Sequence, residues 1–178
     1  MLRPNSLLFV LFVGGLLAFG PITLEMYVPT LPLVAEAFGV GPGPTQLTVS
    51  VYLAGFAIGQ LVSGPLVDVF GRRPLLLGGM VLLAAASAVC IFAPSIESLT
   101  AARFLQALAV SVGQVAGRAV IRDTHGPADT ARMLAFTMVV IGLTSAITPV
   151  LGGFLAVWVG WEIVFAIHVA FALIFFVL

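Results

Sequence analysis

The chain has 178 residues, 61% of them hydrophobic and 8% charged, with a formal net charge of zero and a mean hydropathy of +1.24. So few charges cannot cover a soluble domain of this size, and the lack of a basic tract argues against nucleic acid as a partner. Cys90 is the sole cysteine, which excludes a disulfide or a cysteine-built metal site within one chain and leaves it as a small packing residue in an apolar run.

A helix needs about 20 apolar residues to cross about 30 Å of hydrocarbon, and six such segments fit this chain. Span 1 covers roughly 6–28, span 2 roughly 45–67 and span 3 roughly 74–93. Span 4 covers roughly 98–120, span 5 roughly 131–157 and span 6 roughly 161–178. The first apolar run is too long for a signal peptide and lacks a small-x-small cleavage site, so it reads as a retained span. Pro29 to Pro44, with four prolines and three glycines, reads as an extracytoplasmic loop, and Arg122 to Thr130 as the longer cytoplasmic loop. The turn between spans 2 and 3 is very short. The last span reaches Leu178 with no polar flank, which reads as a protein cut near the end of a six-helix unit.

All seven basic residues are arginine. Arg3, Arg72, Arg73, Arg118, Arg122 and Arg132 fall at the N-terminus or in every second gap between spans. The other gaps hold Glu36, Glu97 and Glu162 and no arginine. Arginine accumulates on the cytoplasmic side, so the N-terminus reads as cytoplasmic in a multi-pass protein. A faint repeat supports three spans per unit. Gly64-Pro65-Leu66 with Gly71 recurs as Gly153-Phe154-Leu155 with Gly160, at equivalent places in each triplet. Three spans invert the next unit, the pattern of secondary transporters.

Arg103 is the exception, set within the first two turns of span 4. Arg103, Gln106 and Gln114 share an arc of about 80° at 3.6 residues per turn. Such a stripe faces a water-filled path, or else serves only as interhelical hydrogen bonding. Glu25 lies in the outward part of span 1, at matching depth, where a charge costs about 3 kcal/mol on insertion scales unless paired or hydrated. It reads as a cavity-lining carboxylate, or else as an interfacial residue, and from the shared depth it and Arg103 are expected either to interact directly or to compete for one proton or substrate. Gly55, Gly59 and Ser63 form a small-residue stripe for helix contact. Tyr52 and Gln60 are weaker cavity candidates. Gly142, Pro149, Gly152 and Gly153 are expected to loosen or bend span 5 and to allow close packing. Gly64 is expected to allow close helix approach and Gly71 a tight turn, with Pro74 in the first turn of the next helix. Asp68 sits where it can meet an arginine or a helix N-terminus. His125 and His168 lack partners at metal-ligand spacing, with His168 expected to face the bundle. No nucleophile motif, phosphate loop, metal cluster or cofactor site is seen, and the chain does not read as an enzyme.

The string Gly64-Pro65-Leu66-Val67-Asp68-Val69-Phe70-Gly71-Arg72-Arg73 resembles the G-x-L-x-D-x-x-G-R-R/K loop signature of the major facilitator superfamily. Val69 stands where a basic residue is common. Further strings resemble the Bcr/CflA-type drug-resistance branch. They are Glu25-Met26-Tyr27-Val28-Pro29 near the end of span 1, Arg103-Phe104-Leu105-Gln106 in span 4, Arg118 to Asp123 after it, Pro149 with Gly152-Gly153 in span 5, and Gly160-Trp161-Glu162 before span 6. Glu25 replaces the usual Asp, Ala109 a Gly and Glu162 an Arg.

The resemblance implies an all-α, polytopic N-terminal six-helix bundle, a 3+3 inverted repeat whose C-terminal half lies outside this chain. It implies a bacterial inner-membrane exporter of small amphipathic drugs, of the chloramphenicol, bicyclomycin or sulfonamide kind, driven by proton antiport with alternating access. Glu25 would handle the proton. Arg103, Gln106, Gln114 and Tyr27 would line the substrate pathway. The loop of Gly64, Asp68, Gly71, Arg72 and Arg73 would latch one conformation. Pro149, Gly152 and Gly153 would shape a helix interface that limits leakage. Partners would be lipid, drug, protons and the second half. The alternatives are a metabolite or osmolyte symporter of the same fold, or a truncated product without transport activity.

Overall fold

A computed structural model describes residues 7–124 and 126–177. Arg3, His125 and Leu178, used above, lie outside the described residues. The described chain is helical almost throughout, because apolar segments of this length in lipid must satisfy their own backbone groups. The helices are α1 (Leu7–Glu25), α2 (Leu31–Phe38), α3 (Pro42–Phe70), α4 (Arg72–Ile91), α5 (Ile96–Thr124), α6 (Pro127–Val159) and α7 (Ile163–Val177), with a 3₁₀ turn at Val28–Thr30. Five apolar paths are long enough to cross a membrane, the first running from Phe12 through α2 to Phe38; α7 is a shorter apolar helix.

Two expected loops are mostly helix. Within Pro29–Pro44 the 3₁₀ turn and α2 occupy all but the last few residues before α3. Pro29 and Pro32 sit in first-turn positions, where a missing N–H costs nothing, and Gly39 ends α2 at φ +62°. Arg122–Thr130 likewise dissolves into the end of α5 and the start of α6, with Pro127 again in a first turn. The turn between α3 and α4 is Gly71 alone, at φ +82°, a conformation glycine adopts without a Cβ penalty. Gly160 ends α6 in the same way, at φ +115°. The two members of the faint repeat therefore end their helices with the same backbone device.

α5 packs on α3, α4 and α1, α7 packs on α4, and α6 packs on α1. α5 lies at the centre and α6 is the most exposed helix. The stripe Gly55, Gly59 and Ser63 meets α5. A Cβ on Gly55 would lie 2.9 Å from the Phe104 carbonyl, and one on Gly59 2.8 Å from Ser111 Cβ. Ser63 and Ser111 hydroxyls are 3.2 Å apart. Gly64 does not share this role, contrary to expectation. It lies about 100° round the helix from Ser63, and a Cβ there meets nothing within 4 Å.

In span 5 two of the small residues pack closely, as expected. α6 continues unbroken past Pro149. Gly152 and Gly153 receive the joint after α1: a Cβ on Gly152 would lie 2.8 Å from Met26 Cα, and one on Gly153 3.2 Å from Pro29 Cβ.

Gly59→Ala should destabilise the purified protein by about 1–3 kcal/mol through overpacking. Gly78→Ala, where a Cβ meets nothing within 4 Å, should be neutral or better. Thermal unfolding of the two variants in detergent, side by side, checks this.

Candidate functional site

Arg103 is fully buried, two turns inside α5. Its Nη1 donates to the Thr23 carbonyl on α1 at 3.2 Å and to Gln106 Oε1. Gln106 Nε2 in turn donates to Ser87 Oγ on α4 at 2.7 Å and lies 3.3 Å from His168 Nδ1 on α7. Above and below the guanidinium lie two tyrosine rings. Arg103 Cζ is 4.4 Å from the Tyr27 ring centre and 4.2 Å from that of Tyr52, with Phe165 at 5.8 Å. A desolvated cation over an aromatic face gains about 2 kcal/mol or more.

The tyrosines are held by a reciprocal exchange between α3 and the first span. Thr23-x-x-x-Tyr27 and Thr48-x-x-x-Tyr52 have the same spacing. Tyr27 Oη and Thr48 Oγ1 are 2.8 Å apart, and Tyr52 Oη meets Thr23 Oγ1. Each threonine also donates to its own helix, Thr23 to the Phe19 carbonyl at 2.8 Å and Thr48 to the Thr45 carbonyl at 2.6 Å. One turn of phenol and hydroxyl on each helix thus fixes both faces of the arginine sandwich.

No carboxylate pairs with Arg103 among the described residues, and Arg103 Nε and Nη2 are buried without a hydrogen-bond partner. Glu25 is half-buried, and its Oε2 is buried without a partner as well. The direct Glu25–Arg103 pairing expected from matching depth is therefore absent. The reason is local: Arg103 turns its Nη1 to the Thr23 carbonyl and is closed in by two rings, while Glu25 is the last residue of α1.

The stripe on α5 divides into two polar layers. Arg103 and Gln106 belong to the closed layer just described. Gln114 belongs to a second one, where it donates to the Leu17 carbonyl at 3.0 Å and accepts from Gln60 at 3.0 Å. Arg118 Nη2 donates to Gln60 Oε1 at 2.9 Å. Beside this layer Gln60, Val115, Arg118, Arg122 and Leu134 line a cavity of about 350 Å³. Tyr27 and Tyr52 have almost no exposed surface, and Gln60 is half-buried.

At the same end of the bundle Arg72 pairs with Asp123, which joins the α3–α4 turn to the end of α5. Arg73 is exposed, and so is Asp68, which stays outside that pair. His168 is buried in the bundle as expected. Thr23, Thr48 and Ser87 were not foreseen. The matched Thr-x-x-x-Tyr spacing was a usable signal for the first two, and nothing in the alanine-rich surroundings of Ser87 marks it.

A family profile described as Major Facilitator Superfamily matches residues 7–178. An uncharacterized transporter of Rickettsia bellii is 37% identical over 150 residues, covering 84% of this chain and 37% of that protein. The chloramphenicol resistance protein of Pseudomonas aeruginosa is 33% identical over 144 residues, covering 80% of this chain and 34% of that one. Among solved structures, the proton:xylose symporter XylE bound to 6-bromo-6-deoxy-D-glucose aligns with a TM-score of 0.81 at 18% identity, over 99% of this chain and 44% of that chain. The likeness to XylE is one of fold. The chain spans well under half the length of these relatives.

A double-mutant cycle tests whether Gln106 serves mainly as the acceptor for Arg103. Gln106→Leu should destabilise by about 1.5–3 kcal/mol, the range for a hydrogen bond to a charged group. In an Arg103→Met background the same change should cost much less. Thermal or denaturant unfolding of the four proteins gives the coupling, and an additive result would refute it.

Proposed function

The chain belongs to the major facilitator superfamily, a family of transporters and not of enzymes, and from that premise we propose that it is the N-terminal bundle of a proton-coupled exporter of small amphipathic drugs. The observation that carries this reading is Glu25, an acidic side chain with a buried, unpartnered oxygen at the end of the first membrane helix. An acidic side chain in a membrane helix is rare and marks a substrate or ion pathway. The likeness to a chloramphenicol resistance protein supports the substrate class.

In this reading Glu25 carries the proton. Arg103 and Gln106 form the rigid polar centre against which substrate binding acts. Tyr27, whose ring covers the guanidinium, would be the first group to move when the pathway opens. Gln114, in the second layer, would line the pathway towards the other end. Gly64 and Asp68, one turn apart on the α3 face turned away from α5, would meet the C-terminal half. Gly71 shapes the turn that presents Arg72 and Arg73, and this loop would latch the two halves in one state. Pro149, Gly152 and Gly153 would keep α6 close against the joint after α1, so that ions do not leak between them. The bundle would sit in a bacterial inner membrane with its arginine-rich end in the cytoplasm. Alternating access would come from rocking the two halves about the central site.

Proton release on addition of chloramphenicol to purified full-length protein should be clear in wild type. It should fall at least tenfold in Glu25→Gln and partly survive in Glu25→Asp. Equal release from wild type and a folded, drug-binding Glu25→Gln would reject Glu25 as the coupling group.

A further inference from the structure

The buried network around Arg103 has a direction. A guanidinium carries donors and no acceptor, so the Gln106 atom that meets Arg103 Nη1 is the amide oxygen. The amide nitrogen faces the other way, with one N–H on Ser87 Oγ at 2.7 Å and the other on His168 Nδ1 at 3.3 Å. Both donors of the amide are thereby committed. Nδ1 receives its N–H with a lone pair, so the ring proton belongs on Nε2 and His168 is neutral. The surroundings favour the same state. His168 is fully buried, and no carboxylate pairs with Arg103 among the described residues, so an imidazolium would be a second unanswered cation in one core.

The imidazole is also aimed. On α7 it follows Phe165 by three residues, and the two rings meet edge to face, at 6.0 Å and 83°. Phe165 is itself set against Tyr27 at 5.6 Å and Trp161 at 5.9 Å. His168 Nε2 is buried without a hydrogen-bond partner, so Nδ1 is the atom through which the ring acts. We propose that His168 is the positioning residue of the Arg103 centre: its unprotonated Nδ1 holds the Gln106 amide with the oxygen turned to the guanidinium. Ser87 does not do this alone, because a hydroxyl both donates and accepts and so serves either end of an amide. An imidazole with its proton on Nε2 only accepts at Nδ1, and of the two it is the one that tells the ends of the amide apart. This role deepens the transport reading above and rests on it, since there Arg103 and Gln106 form the centre against which the substrate acts.

Solid-state NMR of the purified full-length protein in bilayers, with isotope-labelled histidine ring nitrogens, reads the tautomer. The His168 signal is the one lost in His168→Asn. In wild type near neutral pH, Nδ1 should be unprotonated and Nε2 protonated. Gln106→Glu puts an oxygen where the N–H was and should place a proton on Nδ1. If that variant does not fold, Gln106→Leu replaces it and should leave the two tautomers mixed. Chloramphenicol export by the same protein in liposomes gives the functional readout, each variant being first checked by thermal unfolding. His168→Leu and His168→Gln should lower export about tenfold, the worth of one hydrogen bond in a charged network. His168→Asn, whose side-chain oxygen reaches the place of Nδ1 where that of Gln overshoots it, should keep most of the export. A proton on Nδ1 in wild type would overturn the proposal, as would an unchanged tautomer in the folded Gln106 variant. Export by folded His168→Leu equal to wild type, or equal loss in His168→Asn and His168→Leu, would overturn it too. No chloramphenicol export by wild type would sink the drug reading instead, and the tautomer then decides the proposal by itself.

Discussion

The arrangement depends on one buried guanidinium. Arg103 sits where no water reaches and where no carboxylate answers it among the described residues. A lone charge there is tolerable only if its surroundings act as a solvent, and here they do so with dipoles and ring faces. Five of the six spans contribute. The first supplies the Thr23 carbonyl and the Tyr27 ring, α3 the Tyr52 ring and Thr48, α4 Ser87, α5 Gln106, and α7 Phe165 and His168. The helices cannot slide past one another without stripping partners from the charge. That is a constraint apolar side chains do not impose in a membrane, where lipid tails compete equally for apolar contact.

Such a centre needs helices held close enough for short polar side chains to reach across. Glycine and serine meet that need on α3, where Gly55 and Gly59 admit the backbone and side chains of α5. Gly152 and Gly153 do the same on α6 by seating the joint after α1. The glycines close α3 onto α5, and the threonine–tyrosine exchange closes α3 onto the first span, so the two devices hold different faces of α3. Glu25 follows that joint's position, at the point where α1 gives way to the 3₁₀ turn. Two strong charges thus lie in adjoining segments of the same bundle without meeting.

The opposite end is organised differently. There the charges are exposed, α3 ends at the glycine turn of Gly71, and Arg72–Asp123 ties two short connections together at the modest value of a surface ion pair.

Much was legible in the chain itself. Apolar run length marks, in order, the helices observed, five of them along paths long enough to cross a membrane and the last a shorter one, because hydrocarbon thickness sets helix length. Glycine with positive φ at Gly71 was readable from the short gap, and the contact stripe at Gly55, Gly59 and Ser63 from its four-residue spacing. Arg103 stood out because a charge inside an apolar run is rare. The loops were less legible: proline-rich segments read as irregular, yet Pro29, Pro32 and Pro127 occupy first turns, where proline starts helices as readily as it ends them. Tertiary structure alone decided that Arg103 turns to Thr23 and two tyrosine rings, leaving Glu25 apart, that the polar stripe of α5 splits into two layers, and that Gly64 faces away from α5 while Gly59 meets it. Periodicity tells which residues share a face of one helix. The partner across the gap depends on how another helix is rotated and how deep it sits, and that follows from packing all the helices at once.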